Sequence, residues 1–131
     1  MREIKFRGKQ IDNGEWVYGS LIGSDVIVGD IIEFTEEYFN CEYWWRVKPE
    51  TVGQYTGLKD NNGKEIYEGD IIWWGKDKPA PASNVIFDDG AFKVSDTRKL
   101  LADVLNGAKV ISNIHDSPDF LGQEEGAYED N

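Results

Sequence analysis

Asp60-Asn61-Asn62-Gly63-Lys64-Glu65-Ile66-Tyr67-Glu68-Gly69-Asp70-Ile71-Ile72-Trp73-Trp74 is the stretch that decides the fold class. Asn62-Gly63 supplies the positive backbone angles of a hairpin turn, and the residues after it read as strand, Gly69 turn or bulge, strand. The stretch before it, Thr51-Val52-Gly53-Gln54-Tyr55-Thr56-Gly57-Leu58, spaces its apolar positions by two or three. Short strands punctuated by turn residues are the grammar of a β-rich fold.

The same grammar extends outward. Arg2-Glu3-Ile4-Lys5-Phe6-Arg7-Gly8-Lys9 puts Ile4 and Phe6 on one face and the cations on the other, as in a half-buried strand. Asp12-Asn13-Gly14 turns it into a returning strand, Glu15 to Gly19. Asp25–Val28, Asp30–Phe34 and Glu42–Val47 are further strands, the last ended by Pro49. Residues 35–40 fit one helical turn or a loop. Residues 76–83, with two prolines, form the clearest internal loop. Asn84–Phe87 and Ala91–Val94 flank Asp88-Asp89-Gly90 as a third hairpin. Ser95 or Asp96 then caps a helix over residues 96–106, whose Leu100, Leu101, Val104 and Leu105 form one stripe, with Gly107 as its stop. Ala108–Ile114 is a last strand, and Ser117-Pro118-Asp119 reads as a short helical turn.

Composition bounds the function. The 131 residues are 40% hydrophobic and 13% aromatic, enough to build a core. No apolar run approaches the ~18 residues of a membrane span, and Met1-Arg2-Glu3-Ile4 is no signal-peptide start. One cysteine, Cys41, excludes an internal disulfide, and with one histidine it excludes the usual zinc frameworks. The reading is a cytoplasmic protein. Fourteen Lys and Arg against 25 Asp and Glu give a net charge of −11, weighted toward residues 81–131 and an acidic tail over 123–131.

No catalytic constellation emerges. His115 beside Asp116 lacks a nucleophile, and Cys41 sits next to Glu42, whose charge discourages a thiolate. Glu36-Glu37, Asp88-Asp89 and Glu124-Glu125 are sequence neighbours, which in strands point apart. A calcium loop with Gly63 at its sixth position would need ligands at Leu58 and Gly69. The register fails. Gly53, Gly57, Gly63 and Gly69 match no phosphate loop. No cofactor or metal is expected.

The aromatics carry more information. Trp44-Trp45 and Trp73-Trp74 are adjacent pairs on strands, so one member of each faces away from the other. With Tyr55, Tyr67 and Asp70 they make the candidate binding surface, suited to a protein partner or a second copy. Arg2, Lys5, Arg7 and exposed tryptophans could instead hold a nucleic acid, against which the net charge argues. A small-molecule enzyme using Asp70, His115 or Asp116 is a further rival.

Met1 to Lys9 resembles the opening of YopX family proteins, which occur in bacterial phages and prophages, and Trp16-Val17-Tyr18-Gly19 resembles the family's second strand. Pro49 to Asp60, Asn62 to Ile71, and Ser112-Asn113-Ile114-His115-Asp116-Ser117-Pro118 extend the resemblance over nearly the whole chain. Residues 21–48 depart most from it. The resemblance implies a β-rich fold in a phage accessory protein acting in the host bacterial cell, and it brings no catalytic residues. Glu68-Gly69-Asp70-Ile71 is similar to the lead-in of an SH3-like barrel. The expected architecture is α+β and β-dominated. It comprises an N-terminal hairpin and variable region (1–59), an SH3-like barrel portion with the helix 96–106 (60–122), and the tail (123–131). The expected function is a non-enzymatic protein-binding or self-assembling module.

Overall fold

Alternating apolar and polar residues, broken by glycine-containing turns, set a β-dominated chain that has, among the described residues, one short α-helix, one 3-10 turn at Pro49–Thr51 and one sheet curled into a half-barrel. The structure is a computed structural model that describes residues 3–29, 31–41, 43–74 and 82–119. It divides into two compact units, Met1–Tyr55 and Thr56–Asn131.

The first unit contains β1 (Phe6–Lys9), β2 (Trp16–Ile22), β3 (Val26–Val28), β4 (Ile31–Phe34), β5 (Phe39–Cys41), β6 (Trp44–Arg46) and the start of β7 (Gly53–Lys59). Its main sheet runs β6-β3-β2-β1-β7, antiparallel throughout, and β4 and β5 pair as a separate ribbon. Of residues 35–40, 35–38 form a turn held by Thr35, whose Oγ1 accepts from the Glu37 and Tyr38 N–H groups, and Phe39 and Asn40 begin β5. One face of the main sheet buries Val17, Ile27 and Val47, with Phe6, Leu21, Trp45 and Val52 packed against them. Each fully buried aliphatic contributes about 1.5–3 kcal/mol. Gly19 is required by close approach, because a Cβ there would collide with the Val28 carbonyl oxygen.

The second unit holds the end of β7, then β8 (Glu65–Tyr67), β9 (Asp70–Trp73), β10 (Ala82–Asp88), β11 (Ala91–Val94), α1 (Leu101–Val104) and β12 (Lys109–Asn113). Four strands order as β11-β10-β9-β12, with a bulge in β12 between Val110 and Ser112. Asp88 pairs with Ala91, so Asp89 (φ 53°) and Gly90 (φ 80°) form a two-residue turn with both angles positive, the geometry that matches strand twist. The core gathers Ile66, Ile72, Val85, Val94, Leu101, Val104, Ala108 and Val110, with Leu58, Trp74, Phe92 and Leu105 against it.

Four local expectations are corrected. The helix over 96–106 shrinks to one turn, Leu101–Val104. Ser95 donates its hydroxyl to Asn84 Oδ1 (2.7 Å) instead of capping, and Val94 N–H bonds to Lys99 C=O (3.0 Å) while Arg98 takes φ 62°. These bonds hold 95–98 as a turn. Ser117-Pro118-Asp119 forms a turn rather than helix, with the Ser117 N–H on Asn113 C=O (2.9 Å). The cations of β1 do not face solvent as expected: Arg7 is buried, while Ile4 is 66% exposed. Of the expected loop, Ala82 and Ser83 begin β10, and residues 76–81 lie outside the described residues, as does the tail 123–131. No helix among the described residues is long and apolar enough to cross a membrane.

Candidate functional site

Strand register builds one site in the first unit. Ser20 pairs with Val28 and Val28 with Trp44; Ile22 pairs with Val26 and Val26 with Arg46. Cross-strand partners share a face, so Ile22, Val26, Val28, Trp44 and Arg46 stand together, opposite the core residues Leu21, Ile27 and Trp45. With Asn40 and Cys41 from β5 they line a groove of about 560 Å³. Trp44 is 58% exposed on its rim. Its polar groups are tethered: the Arg46 guanidinium donates to Asp25 (2.8 Å) and the Asn40 amide to Glu33 Oε1 (2.7 Å). Cys41 is a half-buried free thiol.

β6 is also a sheet edge. Tyr43 and Val47 bond back to Gly29 and Asp25 (3.0 and 2.8 Å), which turns the Trp44 and Arg46 peptide groups outward. Arg46 C=O accepts from Ile11 N–H (3.1 Å); the Trp44 N–H and C=O and the Arg46 N–H have no protein partner among the described residues. An apolar groove beside unpaired strand backbone can take an extended segment through main-chain bonds and side-chain pockets.

The other sequence candidates are placed differently. Trp45 packs on the first core and against Tyr43, ring centroids 4.9 Å apart. In the second unit Trp73 is 38% exposed and Trp74 packs on the core. Tyr55, Tyr67 and Asp70 are buried, and Asp70 Oδ2 accepts the Tyr67 N–H (2.7 Å). Register pairs Asp70 with Asn113, and so brings Asp70, His115 and Asp116 to one end of β9 and β12. There Asn113 Oδ1 accepts from the His115 and Asp116 N–H groups (3.0 and 2.9 Å), and its amide donates to Asp116 Oδ2 (3.0 Å). Those bonds close a turn. No group of three His, Cys, Asp or Glu among the described residues is arranged to hold a metal.

The basic strand is locked into its own sheet. Lys5 Nζ lies 5.4 Å from the centre of the Tyr55 ring and 3.6 Å from Glu3. The Arg7 guanidinium sits 4.6 Å over Trp16, and Lys9 Nζ 5.7 Å over the same ring. Arg2 lies outside the described residues. The groove itself escaped the sequence reading, because the irregular 21–48 region hides the pairing of Val26–Val28 with Trp44–Arg46. The alternation within Trp44-Trp45 was the available signal.

The YopX protein family matches residues 5–122 of this chain. The chain belongs to the YopX family. The groove and the strand edge of this family member lie within the matched span. The crystal structure of protein EF1440 from Enterococcus faecalis is similar to this YopX-family chain, with a TM-score of 0.67 and 26% identity, covering 92% of this chain and 99% of that one. No curated protein matches.

Proposed function

We propose that this YopX-family chain is a phage or prophage accessory protein that binds a protein partner, or a second copy of itself, through the groove of β2, β3 and β6. It acts in the cytoplasm of the host bacterium and catalyses no reaction. The observation that carries the reading is Trp44, 58% exposed on an edge strand beside an apolar groove. Exposed tryptophans next to a pocket are the residues on which interface energy concentrates. The turn bonds around Asn113, which engage the His115 and Asp116 backbone, support the non-enzymatic reading. Within the second unit the Glu68-Gly69-Asp70-Ile71 turn and the four-stranded sheet support an SH3-like barrel portion over residues 60–115.

Light scattering on the purified chain and pull-down from host lysate, each with and without Trp44→Ala, test the reading. Trp44 lies off the core, so the variant keeps its fold. The expected result is a dimer or a captured partner whose affinity falls at least about 30-fold in the variant, the loss of a hot spot of about 2 kcal/mol. A strict monomer that captures nothing overturns it, as does binding that Trp44→Ala leaves unchanged.

A further inference from the structure

Asn-Gly occurs at Asn13-Gly14, Asn62-Gly63 and Asn106-Gly107. Sequence makes the three equivalent candidates for spontaneous deamidation, since glycine leaves the following amide nitrogen open to approach. The fold separates them. Reaction requires that the glycine N–H lose its proton and that its nitrogen reach the asparagine Cγ. In two of the three, that N–H is the bond that closes the turn: Gly14 N–H donates to Gln10 C=O (3.0 Å) and Gly63 N–H to Asp60 C=O (3.0 Å). The Asn13 side chain is further pinned, its Oδ1 accepting from Glu15 N–H (2.9 Å).

At the third, the turn after α1 is closed one residue later, by Ala108 N–H on Leu105 C=O (3.0 Å). Gly107, at φ 87°, is therefore interior to the turn, and its N–H has no acceptor among the described residues. Asn106 and Gly107 are both exposed. We infer that Asn106-Gly107 is a built-in modification site, where the folded chain converts asparagine to aspartate and isoaspartate with water as the co-reactant.

The chemistry balances without an oxidant or reductant. Hydroxide removes the Gly107 amide proton and the nitrogen attacks Asn106 Cγ. An N–Cγ bond forms, the Cγ–Nδ2 bond breaks, and the side-chain nitrogen leaves as ammonia with a proton from water. Water then opens the succinimide at either carbonyl. The product gains a negative charge. The isoaspartate form also adds a backbone atom between α1 and β12, next to buried Ala108, whose carbonyl holds the Asn61 N–H (2.9 Å).

The test is peptide mapping by mass spectrometry after incubating the full chain in mildly alkaline buffer, folded and in urea. Tryptic cleavage isolates the three sites in Gln10–Arg46, Asp60–Lys64 and Leu100–Lys109. In the folded chain Leu100–Lys109 converts about tenfold or more faster than the others, because each hydrogen-bonded turn must open before it can react. In urea the three rates converge. Asn106→Gln, which the exposed site tolerates, removes most of the acidic species that build up on anion exchange. Comparable rates in the folded chain overturn the inference, as does a ratio that urea leaves unchanged.

Discussion

Asp60 ties three backbone segments with one short side chain. Its Oδ1 accepts the N–H groups of Asn62 (2.8 Å) and Lys64 (2.9 Å), and its Oδ2 reaches Val110 N–H on β12 (2.9 Å). Burial pushes the carboxyl up, but donation from Val110, Lys64 and Asn62, helped by the Lys64 charge, outweighs it and holds the group below its ordinary value of 3.8. A carboxylate lowered on folding adds stability that is present above its unfolded value and lost as pH falls through the folded one. Asp60→Asn keeps the shape but turns an N–H₂ toward backbone donors, leaving a buried N–H unmet at a cost of about 1–3 kcal/mol. Urea titrations at neutral pH should show that loss, and the gap to the parent should close below pH 3.8, where the parent carboxyl also protonates. A gap of constant size down the acid limb would refute this role. The Asn62-Gly63 turn was readable from two residues, whereas the bond to Val110 joins positions that only the folded sheet brings together.

α1 is where local pattern and tertiary context part. Leu100, Leu101, Val104 and Leu105 make a helical stripe in sequence, yet the helix spans one turn, and no side chain caps it at Leu100. The residues expected to start it are spent elsewhere. Ser83, 1% exposed, accepts the Asp96 N–H (2.8 Å) and meets the Ser95 hydroxyl (2.7 Å), which itself donates to Asn84. A serine bonded across a hairpin cannot also cap a helix. Leu100 instead forms a bridge to Lys93 and is 43% exposed, while Leu101 is fully buried. Thermal and urea denaturation should therefore separate two neighbours that the stripe treats alike. Leu101→Ala should cost about 2–5 kcal/mol and Leu100→Ala under about 1 kcal/mol. Equal losses would show that the stripe, not the turn, describes the folded segment. Most strands and the hairpin turns, by contrast, were legible, because Asp89-Gly90 and Asn62-Gly63 encode their turns locally, and β3 and β6 follow from apolar runs; β5 was not, since its residues carry no alternation long enough to mark a strand. What could not be read was which strands pair beyond the hairpins, such as β3 with β6, and so the groove that pairing creates.

Across the whole molecule, six of the described cations are engaged by carboxylates or aromatic rings where they stand. The net charge of −11 sets the background. Arg46 is held by Asp25, and Arg98 and Lys93 share Asp88 (2.8 and 3.5 Å). Lys5, Arg7 and Lys9 lie against Tyr55 and Trp16. A single-stranded nucleic acid gains affinity chiefly by displacing counterions with exposed positive charge, and by stacking bases on aromatics that are open to it. Here the basic strand spends its charge on those rings, and Arg7 is buried with the strand. The sequence shows Lys5, Arg7 and Lys9 as a patch, since alternation alone does not reveal which face of a strand is covered. A labelled single-stranded oligonucleotide should thus show no mobility shift with the purified chain at low salt, where electrostatic attraction is least screened. A low-salt complex that dissolves as salt rises would mean that these cations leave their rings for phosphate, and would move the proposed binding face from the groove at Trp44 to the strand that begins at Phe6.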